Sequence, residues 1–355
     1  MTNDKSILIK NIYYMLTYAF QILRHENFDE ISLEHFDNIE DMFAAILGKG
    51  VAKQLKQGLY REYVIYEDNL STMRGRVDFQ FTIKNKLAKI QKLYCQFDEL
   101  SVNNLLNSIL KTTMWALIKH PNVKQERKNL LKKNLLLFDE VDLIEKSEIA
   151  WSAIRFQKNN QSYRMLINVC NLVLEGMILS TEKGEIKWAS FIDEQRMCRL
   201  YEKFILEYYR YHHPYLHPNA DQIPWALDDG IADFLPIMQT DITLKQAGRI
   251  LVIDAKYYSH TMQSQYDSYT VHSNNLYQIF TYVKNLSVEY SNNVAGVLLY
   301  ARTNEKIQPD HTYKMSGNEI SVKTLNLNCD FIEIRKQLDD MVSCYFGSTI
   351  EKKVI

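Results

Sequence analysis

The stretch from Thr240 to Lys256 constrains this chain most. Ile250, Leu251, Val252 and Ile253 form an unbroken apolar run, and such a run predicts a buried strand over residues 249–257. Strand side chains alternate between faces, so Ile250, Val252, Asp254 and Lys256 share one face. That face starts apolar and ends charged, as at a core strand that emerges into a cleft. Residues 240–244 read as the preceding strand and 245–248 as the turn, where Gly248 supplies permissive backbone. A hairpin of this length returns Asp254 close to Asp241.

Two carboxylates beside one lysine are the groups that metal-dependent phosphodiester cleavage needs. Carboxylates hold a hard divalent cation, which activates water and neutralises phosphate charge. A lysine adds fixed positive charge beside the attacking water. Spacing alone leaves a second reading open, since charged residues at strand ends are commonly just solvated and short motifs recur by chance. Downstream, residues 274–285 predict a helix with Asn274 or Asn275 near its start. Gln278 and Tyr282 lie four residues apart and so share one face.

Strand, hairpin, acidic pair, lysine and a Gln-x-x-x-Tyr helix together resemble the PD-(D/E)xK nuclease superfamily. Further strings resemble the McrC family, the nuclease subunit of McrBC modification-dependent restriction systems. They run in order along the chain: Lys10-Asn-Ile-Tyr-Tyr-Met-Leu-Thr-Tyr-Ala-Phe20, Lys49-Gly-Val51, Arg74-Gly-Arg-Val77 and Asn104-Leu-Leu-Asn-Ser-Ile-Leu-Lys111. Thr240-Asp-Ile242, Asp254-Ala-Lys-Tyr-Tyr258 and Asn275-Leu-Tyr-Gln278 complete the set.

The resemblance implies an α/β chain of two domains. Residues 1–185 would form a mixed α/β partner-binding domain, and residues 186–355 a nuclease domain with a central mixed sheet flanked by helices. It implies Asp241 and Asp254 as Mg2+ ligands, the Ala255 backbone carbonyl as a further ligand, and Lys256 as the residue orienting the water. Gln278 and Tyr282 would position the DNA backbone. Glu202 matches the first-helix glutamate that completes the metal site in many such enzymes, although an exposed surface glutamate is the reading its position favours. The implied partners are an McrB-like AAA+ GTPase ring, which binds GTP and recognises 5-methylcytosine, and double-stranded methylated DNA. Arg74 and Arg76 either reach the motor as a basic finger or flank a strand start.

Bulk properties fit that picture. With 355 residues, 46% apolar, the chain has length for two cores. A formal net charge of −1 supplies no global field for nucleic acid, so the chain is expected to bind DNA weakly without a partner. Six cations at residues 119–133 face Glu126 alone; a solvated helix face is the favoured reading and a DNA or acidic-partner contact the other. Five dispersed cysteines without a CxxC pair read as reduced thiols in a cytoplasmic protein. The segment 7–23 has helical apolar spacing interrupted by Lys10, Asn11 and Gln21, so it predicts an amphipathic core helix and not a membrane span. No phosphate-binding loop is present, because Gly48-Lys-Gly50 lacks the required length and the following Ser or Thr. The missing loop predicts no nucleotide on this chain, and the resemblance implies Mg2+ as its cofactor. Two other functions remain in view: a non-catalytic adaptor of an AAA+ motor, and a stand-alone repair nuclease.

Other local expectations are strands at 61–66, 76–83, 92–97 and 231–238, a polar loop over 259–273, and a domain boundary in the turn at 180–185.

Overall fold

The computed structural model describes residues 3–4, 7–19, 36, 38–157, 160, 162–181, 194–230, 233–258, 262–265, 268–290, 293–303, 305 and 307–347. Of the turn expected at 180–185, Ser180 and Thr181 still belong to a helix, and the rest lies outside those residues. The chain divides into two compact units, one formed by residues 43–187 and one by 1–42 with 188–355. This differs from a split at 185/186, because the first 42 residues join the C-terminal unit.

The reason is long-range packing of helix α1 (Ile9–Ala19). Asn11 Nδ2 donates to the carbonyls of Leu327 and Cys329 at 2.7 and 2.8 Å. Tyr18 places its ring against Phe204, Tyr208 and Phe331, and its hydroxyl lies 2.7 Å from His212 Nε2. Buried polar groups need such partners, and here they lie some 200 to 300 residues away in sequence.

The 43–187 unit contains most of α2 (Ile39–Gln57), then β1 (Glu62–Leu70), β2 (Arg76–Val77), α3 (Phe79–Leu87) and β3 (Leu93–Ser101). Helices α4 (Leu105–Lys119), α5 (Gln125–Leu135) and α6 (Tyr163–Thr181) follow. The expected strand at 76–83 stops after Val77. Asp78 accepts from the Phe81 amide at 3.1 Å and so caps a helix instead. The three strands pair antiparallel in the order β1-β3-β2. Asn107, fully buried, donates to the carbonyls of Tyr60 and Val102 and accepts from the Tyr163 hydroxyl at 2.9 Å. That knot accounts for the polar residues in the otherwise apolar 104–111 string.

The other unit continues with α7 (Glu194–His212), β4 (Met238–Gln239), β5 (Ile242–Gln246), β6 (Arg249–Lys256), β7 (Met262–Gln265) and β8 (Ser268–Val271). It ends with α8 (Ser273–Tyr290), β9 (Val294–Ala301), β10 (His311–Met315), β11 (Asn318–Leu325) and α9 (Phe331–Phe346). Two expectations need correcting. Among the described residues of the strand expected over 231–238, only Met238 is in a strand, the two-residue β4, and the loop over 259–273 contains the paired strands β7 and β8.

A mixed five-stranded sheet runs β10-β11-β9-β6-β5. Strands β6, β9 and β11 are parallel neighbours, while β5 and β10 pair antiparallel at the edges. β5 and β6 are joined by Ala247 and Gly248 with φ of 49° and 76°, the left-handed pair that a two-residue hairpin requires. Helix α8 crosses from β6 to β9 by way of one sheet face, where Ile279 and Val283 pack on Ile250, Val252, Val294 and Leu298. Among the described residues no helix is long and apolar enough to cross a membrane.

Candidate active site

The strand pattern that buries Ile250 and Val252 carries Asp254 and Lys256 to the C-terminal end of β6, on the face that α8 covers. The antiparallel register pairs Ile242 with Ile253, which sets Asp241 one step beyond β5 and beside Ala255. There Asp241 Oδ2 accepts from the Ala255 amide at 2.8 Å. The contact at Ala255 is thus made by its N–H, whereas the expectation concerned its carbonyl. Lys256 Nζ lies 2.8 Å from Asp254 Oδ2. The structure therefore brings Asp241, Asp254 and Lys256 into one cluster.

Electrostatics in this cluster are strongly perturbed. Asp254 is fully buried, and burial together with the Asp241 charge pushes its carboxyl up to about 7. Asp241 is raised as well, by burial, with Lys256 and the Ala255 amide opposing. Burial alone would lower Lys256, but the Asp254 and Asp241 carboxylates outweigh it and hold the ammonium above its ordinary value. Asp254 Oδ1 is buried and has no hydrogen-bond partner among the described residues. Such an orphaned acceptor costs free energy unless something positive meets it. Among the described residues no three His, Cys, Asp or Glu side chains group as a metal-binding set, so the donor set here is the aspartate pair. Two hard oxygen donors around an unmet acceptor fit Mg2+, which keeps most of its own waters.

Glu202 is not the exposed glutamate its position suggested. It is partly buried on α7, accepts from Cys198 Sγ at 3.1 Å, and is raised by burial and then by the charge of Asp241. Its neighbourhood with Asp241 places it at the edge of the cluster. Cys198, one helical turn before Glu202, is a site neighbour that sequence reasoning missed, although the i, i+4 spacing was there to be read.

Gln278 and Tyr282 come to the same place. Gln278 Nε2 donates to the Tyr282 hydroxyl at 2.8 Å, and that hydroxyl donates to the Gln239 carbonyl at 2.9 Å. Tyr282 is only 7% exposed, so its hydroxyl faces the backbone two residues before Asp241. Asn275, also buried, donates to the Tyr300 hydroxyl at 2.9 Å and accepts from Tyr258 at 3.3 Å. Tyr300 is the register partner of Lys256. Helix α8 thus fastens both halves of the cluster, through Gln239 on the Asp241 side and through Tyr300 on the Lys256 side. Gln239 and Tyr300 were missed because their roles depend on register.

Tyr282→Phe removes that donor from the Gln239 carbonyl; Gln239 is exposed, so water can take its place and the cost is about 0.5–1.5 kcal/mol. The expected result is a lower melting temperature and, in the reaction this cluster performs, a fall in kcat with little change in KM. A rise in KM at constant kcat would instead place Tyr282 against the substrate.

Arg74 and Arg76 lie in the other unit. The Arg74 guanidinium sits 4.2 Å from the Phe97 ring centre and 3.6 Å from Glu99 Oε1. Arg76 is exposed and makes no ion pair among the described residues. Between them Gly75 has φ of 64°, and a Cβ there would stand 2.3 Å from the Gln96 carbonyl, so the bend requires glycine. Of the two readings of this pair, a strand flank accounts for Arg74 and leaves Arg76 unengaged.

A family of McrBC 5-methylcytosine restriction system components matches residues 2–301. The Type IV methyl-directed restriction enzyme EcoKMcrBC of Escherichia coli (strain K12) is 29% identical over 347 residues, covering 96% of this chain and 98% of the relative. A chain from the solved half-complex of the tetradecameric assembly of Thermococcus gammatolerans McrB AAA+ hexamers with bound McrC superposes with a TM-score of 0.52 at 17% identity. The match covers 94% of this chain and 76% of that one. At that identity the likeness speaks to the fold.

Proposed function

The chain belongs to the family of McrBC 5-methylcytosine restriction system components, and from that membership we propose that it is the DNA-cleaving subunit of a modification-dependent restriction complex. The fully buried Asp254, its Oδ1 without a hydrogen-bond partner among the described residues, its Oδ2 2.8 Å from Lys256 Nζ and the Asp241 charge beside it, carries this reading. The fold is read as a PD-(D/E)xK nuclease core in the unit that contains the five-stranded sheet. Its substrate is double-stranded methylated DNA, and its partner an McrB-like AAA+ GTPase ring whose GTP hydrolysis it stimulates.

Asp241 and Asp254 would hold Mg2+, with the Ala255 carbonyl and Glu202 as candidates for further donors. Mg2+ would supply Lewis-acid activation of water and charge neutralisation on the phosphate. Lys256, kept protonated by its aspartate neighbours, donates hydrogen bonds to the phosphate oxygen that gains charge and orients the attacking water. The Ala255 amide fixes the rotamer of Asp241. Tyr282 and Gln278 hold the Asp241 segment, and the half-buried Gln278 is the member of that pair with surface left to meet the DNA backbone. The 43–187 unit exposes Tyr63, Ile65, Met73 and Phe79, each at least 63% accessible. Exposed apolar side chains in such number, within seventeen residues of sequence, support this unit and Arg76 as the side that meets the motor.

A proton competes with Mg2+ for Asp254, which titrates near 7 in the metal-free protein. Metal affinity therefore falls as pH drops below 7. Mg2+ is expected to raise the melting temperature more at pH 8 than at pH 6, and Asp254→Asn to lose most of that rise. In the metal-free protein the raised group takes up a proton on folding between roughly pH 4 and 7, so its contribution to stability grows as pH falls through that window. A Mg2+ shift that is equal in Asp254→Asn and wild type would remove the aspartate pair as the metal site.

A further inference from the structure

The formal charge of −1 conceals a division that only the two units expose. Residues 43–187 carry 23 Lys and Arg against 15 Asp and Glu, and the rest of the chain 19 against 28. One unit is therefore strongly basic and the unit with the aspartate cluster strongly acidic. Such asymmetry marks a basic part that meets a polyanion.

The basic residues are densest where α4 turns into α5. Lys128 and Lys132 lie four residues apart on α5, with Arg127 and Lys133 beside them and Lys124 at its N-cap. Lys119, Lys124, Lys132 and Lys133 are exposed, and Lys128 and Arg127 half-exposed. Among the described residues Lys128, Lys132 and Lys133 make no ion pair with a carboxylate. Helix α5 buries only Leu131 and Asn134, so packing does not account for its composition. Lys119, at the end of α4, lies over the exposed Trp115 ring at 4.8 Å, and His120 next to it is lowered by burial and then by the charge of Lys128. These groups lie close together, with Glu126 the one carboxylate among residues 119–133.

We propose that this α4–α5 surface binds the sugar-phosphate backbone of duplex DNA. Four residues of helix rise about 6 Å, and phosphates on one strand advance about 3.4 Å along the duplex axis. Lys128 and Lys132 are therefore spaced to meet roughly every second phosphate of one strand. The basic balance of this unit marks a polyanion contact, and the reading of DNA as the substrate supplies that polyanion, so DNA is the occupant proposed. The inference rests on DNA as the substrate and adds where the backbone is held: on a different unit from the aspartate cluster. It also explains how a chain of near-zero net charge contributes to holding a polyanion.

The test replaces Lys128, Lys132 and Lys133 together by Gln, which keeps helix propensity. Binding of a labelled methylated duplex is measured as a function of salt on the complex with the McrB-like partner and GTP. An Asp254→Ala background keeps the duplex intact. The expected result is at least about tenfold weaker binding at 0.1 M salt, and a log–log salt slope shallower by about three, with the partner's GTP turnover unchanged. Equal affinity and slope would overturn the proposal. Unchanged DNA binding with lost GTPase stimulation would also overturn it and make the surface a motor contact. Weakened binding by the triple variant in a protein whose Asp254-containing form never cuts would support the DNA surface while removing the nuclease reading.

Discussion

Asp254→Ala is expected to abolish DNA cleavage, by roughly a thousandfold or more, while stimulation of the partner's GTP hydrolysis persists. The carboxylate is fully buried and is one of the two aspartates proposed to hold the cation. Its loss removes a metal ligand and the ion pair that fixes Lys256 at 2.8 Å. Removing one preorganised electrostatic group commonly costs 10²- to 10³-fold in turnover, and here the cation site and the lysine are disturbed together. The fold should survive, because Ala deletes a group whose burial is unfavourable. The melting temperature at pH 8 without metal is expected to hold or rise. Strand breaks and GTP turnover measured in the same reaction separate this outcome from a misfolded subunit, which would lose both. Retained stimulation with lost cleavage also separates a nuclease subunit from a pure adaptor, for which Asp254 has no work to do.

Gly296→Val is expected to be the most damaging single change far from the aspartates. Gly296 lies in β9, where an added Cβ would stand 2.7 Å from Ile279 Cγ1 and 2.8 Å from Val283 Cγ2. Both neighbours belong to α8 and to the core between helix and sheet. Overpacking of this kind costs about 1–3 kcal/mol, and in a chain this size each kcal/mol lowers the melting temperature by about 2–4 °C. The helix can relieve the clash only by moving off the sheet, and it carries Asn275, Gln278 and Tyr282 with it. Cleavage should therefore fall further than the loss of folded protein accounts for. A variant that is destabilised yet cleaves normally per folded molecule would show that α8 does not set the site.

The hairpin around Asp241 and Asp254 was legible because its signals are local: an apolar run, alternation and a left-handed turn. The α8 helix was legible for the same reason, although it extends to Tyr290, beyond the expected 285. What escaped reading depends on partners distant in sequence. Helix α1 shows an amphipathic pattern, but nothing in it names Phe204, Leu327 or Phe331 as its neighbours. Tyr300 acquires its place beside Lys256 only through parallel register across 44 residues. Asp78 looked like a polar position in a strand, and its capping bond to Phe81 became visible only with the backbone in hand. Glu202 could not be placed from its helix stripe alone, since its burial is set by the strand end opposite it. Charge was misread for a different reason: a total of −1 averages over two units of opposite sign.

The most direct measurement is strand cleavage of methylated and unmethylated plasmid by the wild-type chain with Mg2+, alone and with an McrB-like partner plus GTP. The account predicts double-strand breaks in methylated DNA only in the complete mixture, and none when the chain, the partner, GTP or Mg2+ is left out. Cleavage by the chain alone would favour a stand-alone nuclease. GTP turnover by the complete mixture without any break in the DNA would contradict the nuclease reading and leave an adaptor.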